Sequence, residues 1–216
     1  MGKIQAVLFD MDGLLMDSER VGVQVSLAVS REMGYSLTEE DVLKTLGITR
    51  EGLKRIYEAK EPSFDCEAFL SRFTARMTQL AQEGKIPLKR GAMTLLDVLR
   101  ERGIPCVLAT SSPGRIADVY LEKAGVRTYF RDIVSGDDHL PSKPNPDMFL
   151  AAARKAGADI RNCLVLEDSP NGLKAGRASG ATVVMVPDLI PWTEALAPYT
   201  DAVLPSLADA VPLLDA

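Results

Sequence analysis

Short apolar runs punctuate the chain. The first is Ile4 to Phe9. From about Ile104 onward come Ile104-Pro-Cys-Val-Leu-Ala109, Asp132-Ile-Val-Ser135, Cys163-Leu-Val-Leu166 and Ala181-Thr-Val-Val-Met-Val186. The runs lack polar alternation, which is the pattern of strands buried on both faces of a parallel sheet. Ala202-Val-Leu204 adds a candidate edge strand. Helical stretches separate the runs. One covers Gly91 to Arg102 and stops at Gly103. Others begin near Pro113, Pro146 and Pro170 and stop at Gly125, Gly157 and near Gly180. Glycine just past the last periodic residue is a helix C-terminal signal.

Residues from about Asp17 to Gly84 have helical periodicity and no buried strand. Thr38 reads as an N-cap with Asp41 three positions on, although a capping box prefers Glu or Gln there. Pro62-Ser-Phe-Asp-Cys marks a loop before a helix over Glu67 to Gln82. The pattern predicts an α/β fold: a doubly wound parallel sheet, Rossmann-like, interrupted after its first strand by an all-helical insert. The core is assigned to residues 1–16 and 86–216 and the helical cap to residues 17–85.

Composition narrows the function classes. The chain has 216 residues, 46% hydrophobic and 25% charged, with a formal net charge of −5. Such an acidic balance argues against a nucleic-acid binder, which carries a basic face. No stretch is long and apolar enough for a membrane span, and the expected setting is cytoplasmic. Cys66, Cys106 and Cys163 form no CxxC pair and are expected in the core. His139 is the only histidine, so zinc sites and Ser-His-Asp triads have little to draw on.

In an open parallel sheet, ligands bind beyond the C-terminal ends of the strands. There the sequence places Asp10-Met-Asp12-Gly13, Thr110-Ser111-Ser112, Ser142-Lys143-Pro-Asn145-Pro and Glu167-Asp168-Ser169. One carboxylate can attack phosphorus and a second can shuttle a proton to the leaving oxygen. Acidic groups from two strands can hold Mg²⁺ through oxygen. The lysine and hydroxyl can stabilise phosphoryl charge. Ser112-Pro113, Asn145-Pro146 and Ser169-Pro170 each read as an N-cap followed by proline at N1, aiming three helix N-termini at the same rim.

In this order, the motifs resemble those of the haloacid dehalogenase superfamily of phosphotransferases, in its helical-cap branch that includes β-phosphoglucomutase and many small-metabolite phosphatases. The resemblance covers essentially the whole chain. It implies Asp10 as nucleophile and metal ligand, and Asp12 as general acid/base with its backbone carbonyl on the metal. Thr110 and Lys143 would bind the phosphoryl group. Asp168 would ligate Mg²⁺, with Glu167 assisting directly or through water. Ser111 and Asn145 are assigned to the substrate. So are Arg50, in a cap loop similar to one that brings an arginine to the leaving group, and Arg76.

The resemblance implies a Mg²⁺-dependent phosphatase acting on a small phosphorylated metabolite such as a sugar phosphate. A monomer is expected and a dimer left open. A sugar-phosphate mutase is the alternative. Residues 18–26 lack the histidine that β-phosphoglucomutase carries after its first motif, which favours hydrolysis. A response-regulator receiver uses similar groups, but in another motif order and without a helical insert.

Overall fold

A computed structural model describes residues 3–215. Each apolar run contributes a strand: β1 (Ala6–Phe9), β2 (Cys106–Ala109), β3 (Phe130–Val134), β4 (Cys163–Glu167), β5 (Thr182–Met185) and the short β6 (Ala202–Val203). Every adjacent pair is parallel, in the order β3-β2-β1-β4-β5-β6. The strand order therefore reverses between β1 and β4, where a doubly wound sheet opens its ligand crevice. β3 starts two residues before the apolar run Asp132–Ser135, because Phe130 packs edge-on against Phe9 with ring centroids 5.6 Å apart.

Alternation along each strand supplies two cores. Val7 and Phe9 face one layer, built with α5 (Ala92–Glu101), α6 (Gly114–Lys123) and the C-terminal 3₁₀ segment. Ala6 and Leu8 face the other, built with α7 (Asp147–Ala156) and α8 (Pro170–Ser179). With both faces covered, the strands tolerate no polar alternation. The cysteines are all buried and unbridged.

The insert forms α1 (Ser18–Glu32), α2 (Glu39–Leu43), α3 (Arg50–Lys60) and α4 (Cys66–Gln82) around its own core of Val29, Tyr57, Phe64 and Phe69. Aspartate completes the capping box at α2. Thr38 N donates to Asp41 Oδ2 at 2.9 Å, and Asp41 N donates to Thr38 Oγ1 at 3.3 Å. The shorter side chain suffices because the same oxygen also takes the Thr38 hydroxyl and Lys60.

Two linkers join cap to core side by side. Asp17 N donates to Pro87 O at 2.8 Å and Lys89 N to Leu15 O at 2.9 Å. The buried Asp188, in the loop after β5, ties them together. Its Oδ1 accepts from Arg20 at 3.0 Å and from Lys89 at 2.5 Å. Residues 1–2 and 216 of the expected core lie outside the described residues. No described helix is long and apolar enough to cross a membrane.

Candidate active site

Two carboxylates face the crevice because the chain bends directly after β1. Gly13 permits that bend with φ +82°, and a Cβ there would overlap the Asp168 carboxylate. Asp12 is fixed at both oxygens: Ser18 Oγ donates to Oδ1 at 2.7 Å and Ser112 Oγ to Oδ2 at 2.8 Å. The sequence points to Ser112 only as a helix cap and assigns Ser18 no role. The signal was present, since Thr110-Ser111-Ser112 offers three hydroxyls where a helix cap needs one.

Because Ser112 is committed to Asp12, it does not cap α6. That helix starts at Gly114 with Pro113 in the cap position, and Asp137 accepts the Gly114 N–H at 2.8 Å. At α7, too, Pro146 occupies the cap, and Asn145 Nδ2 instead donates to Ser142 O at 2.9 Å. Only Ser169 at α8 follows the expected serine-cap, proline-N1 pattern, accepting from Gly172 N at 3.1 Å.

Asp10, Glu167 and Asp168 gather at the ends of β1 and β4. Each offers a carboxylate oxygen within 4.8 Å of the others. Lys143 reaches into this nest from the loop before α7. Its Nζ donates to Asp10, to Glu167 Oε1 at 2.7 Å and to Ala109 O at 3.0 Å, which occupies all three ammonium protons. Glu167 is buried and held on its other side, where Oε2 accepts from Asp168 N, Ser169 N and Ser169 Oγ at 2.9–3.0 Å. Gly172 makes room for it, since a Cβ there would collide with the Glu167 carboxylate.

Burial pushes Asp10 up to about 8, against the pull of Lys143 and with Glu167 and Asp12 adding to the rise. Asp168 is raised by burial first, then by Glu167 and Asp10. A charge deficit adds to the effect of burial: three buried carboxylates share one ammonium. A divalent cation would supply the missing two charges, and an all-oxygen donor set suits a hard ion. The residues therefore fit a divalent metal.

Thr110 is buried, with Oγ1 accepting from Ser112 N at 3.0 Å. Asp10, Asp12, Thr110, Ser111, Lys143 and Asp168 all line one cavity of about 610 Å³ between core and cap. Glu167 lies behind Lys143. Three of the assigned substrate residues are not in the lining. Asn145 is turned to its own loop by the Ser142 bond. Arg50 opens α3 on the exposed surface, paired with Glu67. Arg76 is paired with Glu32 at 3.1 Å in a separate shallow groove. The cap instead presents Leu46, Gly47, Ile48, Phe73 and Met77 to the cavity, with Thr74 and Thr78 as its hydroxyls.

A family of hydrolases has this arrangement. The model of the haloacid dehalogenase-like hydrolases matches residues 7–186, and the chain belongs to that family. Among curated relatives, hexitol phosphatase B of Escherichia coli (strain K12) is 31% identical over 188 residues, covering 86% of this chain and 84% of its own. A probable pseudouridine-5'-phosphatase of Drosophila melanogaster is 33% identical over 217 residues, covering 97% and 93%. The crystal structure of a putative beta-phosphoglucomutase from Thermotoga maritima superposes with a TM-score of 0.82 at 27% identity, covering 98% of this chain and 99% of that one.

Proposed function

We propose that this phosphatase hydrolyses a small phosphorylated metabolite, a sugar or polyol phosphate, with Mg²⁺ and through an aspartyl phosphate on Asp10. One observation carries the reading. Asp10 lies in the charge-deficient nest with Lys143, while Asp12, two residues on, is held clear of that nest by two serine hydroxyls. Two carboxylates in such different surroundings are suited to different tasks.

An Asp10 oxygen forms a bond to phosphorus as the ester P–O bond breaks. Asp12 donates its proton to the departing alkoxide oxygen. In the second half, Asp12 takes a proton from a water molecule, whose oxygen bonds to phosphorus. The Asp10–phosphorus bond breaks, releasing inorganic phosphate, freeing the Asp10 carboxylate and leaving Asp12 protonated for the next cycle. Lys143 and Thr110 would meet the phosphoryl oxygens, Lys143 with the proton it otherwise gives to Asp10, and Glu167 orients Lys143. Asp10, Asp168 and the backbone carbonyl of Asp12 would hold Mg²⁺, with Glu167 behind them; when bound, Mg²⁺ neutralises phosphoryl charge. The named activities of the relatives, on hexitol phosphate and pseudouridine 5'-phosphate, support the substrate class.

Return of the phosphoryl group to a sugar is the second reading, favoured by the likeness to the putative beta-phosphoglucomutase. Against it, no histidine lines the cavity. Phosphate release from a panel of sugar, polyol and nucleotide monophosphates with Mg²⁺ tests the proposal. Hydrolysis by the native protein and none by Asp10→Asn is the expected result. Isomer formation without phosphate release would replace it with the mutase reading.

A further inference from the structure

The cavity contains a carboxylate that the chemistry above does not use. Glu19, in the first turn of α1, lines the cavity beside Asp12. Its neighbours in sequence are occupied, Ser18 with Asp12 and Arg20 with Asp188. Among the described residues, Glu19 itself has neither a hydrogen-bond partner nor an ion-pair partner. Its Cγ lies 3.2 Å from where a Cβ on Gly13 would stand, on the side of that glycine that also faces Asp168. Glu19 thus lies close to the reacting centre and has idle acceptor oxygens.

Its surroundings disfavour a phosphoryl contact. Asp12 and Asp188 surround it with negative charge, and burial with these two lifts it to about 7. An anionic phosphoryl group is repelled here, so Glu19 faces the leaving group. The rest of that space offers hydroxyls from Tyr120, Thr74 and Thr78, with Arg115 and Asn171 at its core side, set among apolar side chains. Tyr120 is buried and also feels the charges of Asp12 and Glu19. Carboxylate and hydroxyl groups around a narrow apolar space are suited to the O–H groups of a polyol. A half-buried acceptor left unmatched also selects against an alcohol that lacks the hydroxyl.

We propose that Glu19 is a specificity-determining residue that accepts a hydrogen bond from a hydroxyl of the leaving alcohol, near the ester oxygen served by Asp12. This rests on the phosphatase reading and narrows its substrates to monophosphates of polyhydroxy alcohols.

The test compares substrates of equal carbon number with and without hydroxyls: glycerol 3-phosphate against propyl phosphate, and sorbitol 6-phosphate against hexyl phosphate. The value of kcat/KM for each is measured with Mg²⁺ in the native protein, Glu19→Gln and Glu19→Asp. p-Nitrophenyl phosphate serves as the general control. The native protein is expected to prefer the hydroxylated member of at least one pair. Glu19→Gln is expected to reduce that preference about tenfold, the scale of one hydrogen bond, with partial recovery in Glu19→Asp. An undiminished preference in both variants would overturn the proposal. So would equal loss on both members of a pair, which indicates a role in metal binding or folding. A native preference for phosphoethanolamine over both polyol phosphates would overturn it too. Failure of the native protein to release phosphate from any compound, p-nitrophenyl phosphate included, would instead sink the phosphatase reading on which the proposal rests.

Discussion

Lys143 Nζ donates to Glu167 Oε1 at 2.7 Å, and the far oxygen of Glu167 is locked by the N–H groups of Asp168 and Ser169. The lysine thus sits on a rigid carboxylate anchored at the N-terminus of α8. Among the described residues, it is the only cation paired with these three buried acids. Lys143→Met should lower metal-free stability by about 3 kcal/mol, the scale for breaking a buried ion pair from one side. It should also lower kcat/KM about a hundredfold or more. Denaturant melts and phosphate release measure the two effects. A variant as stable and active as the native protein would show that the nest does not need its ammonium.

The same deficit predicts an inverse effect at Asp168. Among the described residues, none donates a hydrogen bond to this carboxylate, and Glu167 and Asp10 repel it. Asp168→Asn should raise the Tm of the metal-free protein. It should also abolish the rise in Tm that Mg²⁺ gives the native chain by binding the folded state alone. EDTA should remove native activity, and added Mg²⁺ should restore it. An unchanged Mg²⁺ shift in Asp168→Asn would remove this residue from the metal site.

Much of this arrangement is legible in the sequence, and the reasons differ by layer. The strands could be read because a sheet covered on both faces needs continuous apolar runs, and β1, β2, β4 and β5 are buried almost throughout. Asp10, Lys143 and Asp168 could be placed because strand ends in a parallel sheet converge. What could not be read was competition between partners. Ser112 and Asn145 look like caps in isolation, but Asp12 and the Ser142 carbonyl claim them. Arg50 and Arg76 lie on cap helices whose rotation about their axes decides what they face. Glu67 and Glu32, distant in sequence, hold them at the surface.

Asp12 offers a kinetic test of its own. With Ser18 and Ser112 each bonded to one oxygen, its carboxyl is oriented before substrate arrives. Asp12→Ala should slow hydrolysis of the phosphoenzyme and allow an aspartyl phosphate to be trapped by mass spectrometry. Ser112→Ala removes one of the two restraints and should lower kcat about tenfold with little change in KM, because orientation acts on the proton-transfer step. Rapid turnover by Asp12→Ala would eliminate its acid/base role.

The cap's acid sensitivity should trace to Asp41. Hydrogen bonds from the Thr38 hydroxyl and backbone, then from Lys60, hold its carboxyl down at about 2, against an ordinary value of 3.8. A depressed carboxylate stabilises the fold fully above its unfolded pKa, and that stability disappears as pH falls through the folded value. The window is therefore about pH 4 to 2. Asp41→Asn keeps the shape of the side chain but loses its charge, and with it the ionic part of the capping box and the bond to Lys60. The native protein should melt at a higher temperature than Asp41→Asn near neutral pH, by an amount matching about 1 kcal/mol of cap stability. The gap should narrow as pH is lowered from about 5 to about 2, because the unfolded chain takes up its proton near 3.8 while the native carboxylate holds out to about 2. Melts of both proteins by circular dichroism across that range would show it. A gap that stays constant with pH would mean that Asp41 acts only through its shape, and that acid loosens the cap elsewhere.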